Sequence, residues 1–249
     1  MPLFKPEYET YQDVKQTLYA WGRWVWFAAL TVIYYGVFST GTRKAVADHL
    51  PGWIPVRDAV ARVGPLAALL VLGTLVSHVV THVLEAHDRF YDRYIVRWRR
   101  RYDERVILAR LLVPVHPQVA ATARAFYQKS SREFMQKAYY HFVGDREPRI
   151  RHNLVVRFYE RVTKYWLTQI IELAIVVLGV TVAVHGILTG LASWALVRRL
   201  AYVVLAFAIT RLAARLALKA VRVATEDEIE DIHSGHLPEL EAILSAMVP

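Results

Sequence analysis

The chain has no cysteine among its 249 residues, which excludes a disulfide framework, a thiolate nucleophile and any Cys-ligated zinc or iron–sulfur centre. It also lacks a Gly-rich phosphate loop, a Gly–x–Ser–x–Gly elbow and a His–Glu–x–x–His helix. The usual short motifs of nucleotide binding, acyl transfer and zinc hydrolysis are therefore missing. No internal repeat or low-complexity tract is visible. The most informative absence is of charge. Residues 66–84, LAALLVLGTLVSHVVTHVL, contain no Lys, Arg, Asp or Glu, and three other stretches come close to that. A run of about 20 apolar residues is long enough, as a helix, to cross a hydrocarbon core of about 30 Å. Backbone polar groups find no water there, so runs this continuous must be helical.

The remaining composition agrees. The chain is 55% hydrophobic with a mean hydropathy of +0.24, yet it carries a net charge of +9 and a pI near 9.8. The expected fold is all-α, a polytopic membrane protein with four transmembrane helices at about 18–38, 65–84, 166–187 and 194–218. The fourth is the weakest, because Arg198, Arg199, Arg211 and Arg215 lie near or inside it. Trp21, Trp24, Trp26, Tyr34, Tyr35, Trp166 and Trp194 cluster at span ends, where amphipathic rings favour the headgroup region. The first 16 residues are mixed in charge, with Glu7, Glu9 and Asp13 among them. They resemble neither a secretory signal nor a basic transit peptide.

Four segments follow: an N-terminal transmembrane hairpin over 1–87, a basic helical segment over 88–164, a C-terminal transmembrane hairpin over 165–218 and an acidic tail over 219–249. Residues 88–164 hold 18 Lys/Arg against 8 Asp/Glu, a balance of +10. The positive-inside rule places this segment in the cytoplasm or an organelle's matrix, in a bacterial or mitochondrial inner membrane. Four spans put both termini on that same side. The loop over 41–64 faces the other way, as a short amphipathic piece along the interface. The tail has seven acids against Lys219 and Arg222, a balance of −5, so an ion-paired contact with the basic segment is expected.

Within the basic segment, a helix continues the second span until Pro114 and Pro117 break it. Another runs from about 119 to 142 and stops at Gly144. After the Glu147–Pro148 turn, Arg149 leads a helix into the third span. In the tail, Thr225 followed by Glu226, Asp227 and Glu228 reads as a helix cap with carboxylates in the first turn, and a short acidic helix follows Pro238.

Two constellations could carry chemistry. His78 and His82 are i, i+4 on the second span with Glu85 one turn further. Glu172 on the third span, Arg211 and Arg215 on the fourth and Arg23 on the first lie at matching depth. Ionisable groups inside spans are costly and point to function by default. Each lies within about two turns of an interface, however, and can pair locally. The leading reading is a structural polar layer of His78, His82, Glu172, Arg211 and Arg215, with Glu172 satisfied by Arg211, Arg215 or His78. Two His at this spacing make only half a zinc site; no His-rich box accompanies them, so no metal or other cofactor is expected. The second constellation is a basic exit stripe, Arg93, Arg97, Arg100 and Arg101, repeating at i, i+4, i+7 and i+8 on one helical face. Such a cluster beside a membrane exit attracts anionic phospholipid such as cardiolipin or phosphatidylserine at about 1 kcal/mol per charge. Nucleic acid, held through phosphates, is the weaker alternative. Arg146 and His152 fit a loose Arg–x(4–6)–His ribonuclease spacing, which an arginine-rich chain produces by chance.

The expected function is non-catalytic: an accessory subunit of a larger inner-membrane complex, binding structural phospholipids and partner subunits. The alternative is a self-assembling homo-oligomeric channel or membrane-disrupting effector gated by its cytoplasmic helices. Arg211, Arg215, Lys219 and Arg222 would then line an anion-favouring vestibule.

Overall fold

The structure, a computed structural model, describes residues 10–37, 65–84, 102–144, 148–191 and 193–247. Among these every regular element is helical. Helix α1 covers Tyr11–Val32 and runs on as a π-helical turn, Ile33–Val37. Helix α2 covers Pro65–His78 and likewise ends in a π-helical turn, Val79–Val83. The turn Asp103–Leu108 leads into Ala109–Leu111, together α3. Then come α4 (Pro117–Lys129), α5 (Ser131–Ala138) and α6 (Tyr140–Val143). Two long helices close the chain, α7 (His152–Leu188) and α8 (Ser193–Ala246).

Among the described residues three helices are long and apolar enough to cross a membrane: Leu66–Val83, and stretches within His152–Leu188 and Trp194–Ala246. Helix α1 falls short, because Asp13, Lys15 and Arg23 dilute it.

The expected helix over 119–142 is three pieces. Ser130, at φ −141° and ψ 63°, separates α4 from α5, and Tyr139, at φ −114° and ψ −56°, separates α5 from α6. No Pro or Gly marks either break. Packing causes them, since Phe134, Ala138 and Phe142 are fully buried. The stop at Gly144 and the break before Pro117 stand where their residues put them. Pro117 takes the first helical position, where its missing N–H costs nothing. The reading of Thr225 as a cap is corrected: α8 continues through it. The acidic helix expected around Pro238 is a helix of its own, set off from the preceding part of α8 by the non-helical His236 (φ −133°, ψ 15°).

The chain divides into two compact units. The apolar unit comprises Lys15–Phe90 and Trp166–Leu216. In it α1 and α2 run antiparallel in close contact: Ser77 Oγ donates to the Tyr19 carbonyl at 3.0 Å. A Cβ on Gly73 would lie 2.8 Å from the Phe27 backbone nitrogen. Small residues at such crossings let helix backbones approach where no aqueous hydrophobic effect drives them together. The turn from α7 to α8 closes through Gly190, at φ 61°. The Leu191 N–H reaches the Gly186 carbonyl at 3.0 Å and the Gly190 N–H that of Ile187 at 3.2 Å, a left-handed helix terminus that glycine adopts without strain.

The charged unit comprises Met1–Val14, Tyr91–Tyr165 and Ala217–Pro249. Its core holds Leu111, Phe134, Phe142, Ile232, Leu240 and Leu244. Ion pairs join the basic segment to the acidic tail as expected: Arg110 with Glu226 at 2.7 Å, Arg151 with Asp231 at 2.7 Å, Arg157 with Asp227 at 3.0 Å, and Arg149 with Glu239. Exposed pairs of this kind contribute at most about 1 kcal/mol each. They order the tail on the segment more than they stabilise it.

Candidate functional site

In the apolar unit, helical spacing brings several of the expected polar residues together. The rings of His78 and His82 lie 5.1 Å apart between centroids, tilted by 41°, and both meet the Tyr19 ring, at 6.0 and 5.4 Å. Glu172 is 1% exposed. Arg211 Nη1 reaches its two carboxylate oxygens at 3.1 and 3.4 Å, an antiparallel α7–α8 contact. Arg215, one turn further along α8, is exposed. A carboxylate buried without a cation would cost several kcal/mol, and the pairing with Arg211 offsets part of that cost. Glu85 and the stripe Arg93, Arg97, Arg100 and Arg101 lie outside the described residues. Among those described, no group of three His, Asp or Glu side chains converges as metal ligands do.

The charged unit holds a second polar centre that the sequence reading missed. Glu228 and Thr225 are 1% and 0% exposed. Tyr139 donates to Glu228 Oε2 at 2.5 Å, and the hydroxyls of Tyr102 and Thr225 meet at 2.7 Å. Thr225 also donates to the Val221 carbonyl, 3.2 Å away, as a mid-helix threonine does. Burial dominates the electrostatics: desolvation raises the Glu228 carboxyl to about 8. It also holds both tyrosines well above their ordinary value, with the neighbouring carboxylate adding to the effect. At neutral pH the Glu228 site therefore favours a proton. The signal for this centre was present in helical spacing: Val221, Ala224, Thr225, Glu228, Ile229 and Ile232 form one continuous stripe, all buried. The helix-cap composition of Thr-Glu-Asp-Glu masked it.

Beside this centre a cleft of about 350 Å³ is lined by Arg151, Asn153, Arg157, Asp227, Glu230 and Asp231. Its two arginines are already taken by its aspartates. At the kink of α8, Glu239 meets His141 at 3.1 Å and His236 at 3.7 Å as well as Arg149, while His236 Nε2 donates to the Arg149 carbonyl at 2.9 Å. The contacts with His141 and Arg149 lower the Glu239 carboxyl below its usual range. This cluster ties the last turns of α8 to the basic segment.

No curated protein and no solved structure matches the chain. A family model does, over residues 10–242, which takes in both polar centres and every described helix but the last turn of α8. The chain belongs to the YmfE protein family.

Proposed function

We propose that the chain is a non-catalytic accessory subunit of a larger inner-membrane complex, holding anionic lipid and the helices of partner subunits. One observation carries this reading. The most apolar stretches of α2 and α7 have 33% and 28% of their residues buried within the chain, whereas that of α8 has only 6%. Trp194, Val197, Tyr202, Val204, Ile209 and Leu212 all face outward. A helix so little covered by its own chain is suited to packing against other helices. The polar groups of the apolar unit meanwhile serve its own packing, as Glu172 with Arg211 illustrates.

The reading includes four spans, α1 among them, with both termini and 88–164 on the cytoplasmic or matrix side. The close contact of α1 with α2 at Gly73 and Ser77 supports α1 as a span despite its charges. The stripe Arg93, Arg97, Arg100 and Arg101 is assigned to anionic headgroups such as cardiolipin. The test is gentle detergent extraction of the full chain from its native membrane, followed by complex mass, subunit identity and lipid analysis. Other integral subunits at a fixed ratio, together with anionic phospholipid that is lost when the stripe is neutralised, are expected. A closed ring of identical chains would move the assignment to the self-assembling channel. A lone monomer carrying no lipid would overturn both.

A further inference from the structure

We propose that the apolar unit encloses a bound-water site between α1, α2 and α7, formed by Trp26, Thr81 and Gln169. Three buried polar atoms carry the inference: Trp26 Nε1, Thr81 Oγ1 and Gln169 Oε1 have no hydrogen-bond partner among the described residues. Their side chains are 4%, 0% and 3% exposed. Buried polar groups are nearly always satisfied, and each one left alone costs about 1–3 kcal/mol. Three on neighbouring helices make an internal solvent molecule the economical solution.

The register brings them to one level. Trp26 packs with Val80 of α2 and Ala174 of α7. A Cβ on Gly22, one turn before Trp26, would sit 3.9 Å from Thr81 Oγ1. Helices α1 and α7 both enter this unit by their N-terminal ends, at Lys15 and Trp166. The turn before Leu173, which packs against the same cluster, therefore matches the turn before Trp26, and Gln169 lies there, four residues before Leu173 on the same helical face. Long side chains on helices lean toward the helix N-terminus, which carries the Trp26 indole toward the level of Gly22 and Thr81.

Thr81 adds an independent sign. Thr31, Thr74, Thr163, Thr181 and Thr210 each donate to the carbonyl four residues back. Thr81 sits in the π-helical turn Val79–Val83 and makes no such bond, so its hydroxyl stays available. Widened turns of this kind concentrate at functional positions. The three groups are also chemically complementary to water: the indole N–H donates, the amide oxygen accepts and the hydroxyl does either. A water accepting from Trp26 and donating to Gln169 keeps a further contact for Thr81. Glu172 lies three residues beyond Gln169 on α7, so the site adjoins the turn that carries the Glu172–Arg211 pair.

The site stands on helix packing alone, independent of any partner subunit. It is tested by X-ray radiolytic footprinting of the full chain in lipid nanodiscs with oxygen-18 water. The expected result is oxidation of Trp26 that carries the heavy isotope after brief dilution into ordinary water, and its loss in the Thr81→Val/Gln169→Leu double variant. Trp26 left unmodified at doses that oxidise the exposed Tyr140 would overturn the proposal. So would unchanged labelling in a folded double variant. The wild-type measurement decides even where the variant does not fold.

Discussion

The phenol of Tyr139 donates a 2.5 Å hydrogen bond to Glu228, joining the break between α5 and α6 to the middle of α8 inside the charged unit. A carboxyl in this position makes stability depend on pH. Its folded-state value, raised to about 8 by burial, lies above that of an unfolded carboxyl. Its stabilising contribution is therefore complete below about pH 4.5 and is lost as pH rises to about 8.

Replacing Glu228 with Gln removes this dependence. Glu228→Gln is expected to flatten the unfolding midpoint between pH 5 and 8 and to be the more stable protein at pH 9, by an amount on the order of a kcal/mol or more. Thermal unfolding across that range checks it; a wild-type midpoint that rises steadily toward pH 9 would refute the assignment.

Loss of Arg211 takes a paired cation away from the buried Glu172. Arg211→Leu is expected to destabilise by about 3 kcal/mol, with Glu172→Leu/Arg211→Leu recovering most of the loss. Unfolding in detergent of the two single variants and the double variant measures the coupling. Additive single effects would mean that the pair is incidental.

The glycines of the α1–α2 contact should differ in their response to a methyl group. At Gly73 the added Cβ meets the Phe27 backbone at 2.8 and 3.0 Å and the Arg23 carbonyl at 3.1 Å, so the helices must move. At Gly22 it meets Ser77 Oγ at 2.6 Å, the end of a side chain that can rotate. Gly73→Ala is expected to cost about 1–3 kcal/mol and Gly22→Ala less. Gly235→Ala, whose Cβ meets nothing within 4 Å, serves as the control. Equal midpoints for Gly73→Ala and the control would contradict this packing.

Topology can be read directly because the chain has no cysteine of its own. Single cysteines at Thr10 and Gly144 are expected to react with an impermeant thiol reagent from one side of the membrane, and one at Gly41, outside the described residues, from the other. Thr10 reacting together with Gly41 would remove α1 from the spans.

The Glu239 cluster should hold down the end of α8. Glu239→Ala is expected to speed amide exchange after the His236 kink while leaving the buried stripe around Glu228 unchanged. Hydrogen–deuterium exchange resolves the two regions, and protection unchanged at both would show the cluster to be dispensable.

What the sequence by itself determined follows from local physics. Apolar runs of span length must be helical, Pro117 starts a helix and Gly144 stops one through their backbone chemistry, and opposite charge counts over 88–164 and 219–249 led to ion pairs. Tertiary structure alone decided the rest, because a side chain's partner depends on how distant helices are rotated against each other. The sequence narrowed the cation for Glu172 without choosing it; packing across 39 residues selected Arg211 and left Arg215 exposed. Thr225 and Glu228 carry the local marks of a helix start, yet contact across 89 residues with Tyr139 turned that stretch inward as the middle of a long helix. Local propensity is worth tenths of a kcal/mol per residue, and burial of a stripe such as Val221 to Ile232 outweighs it.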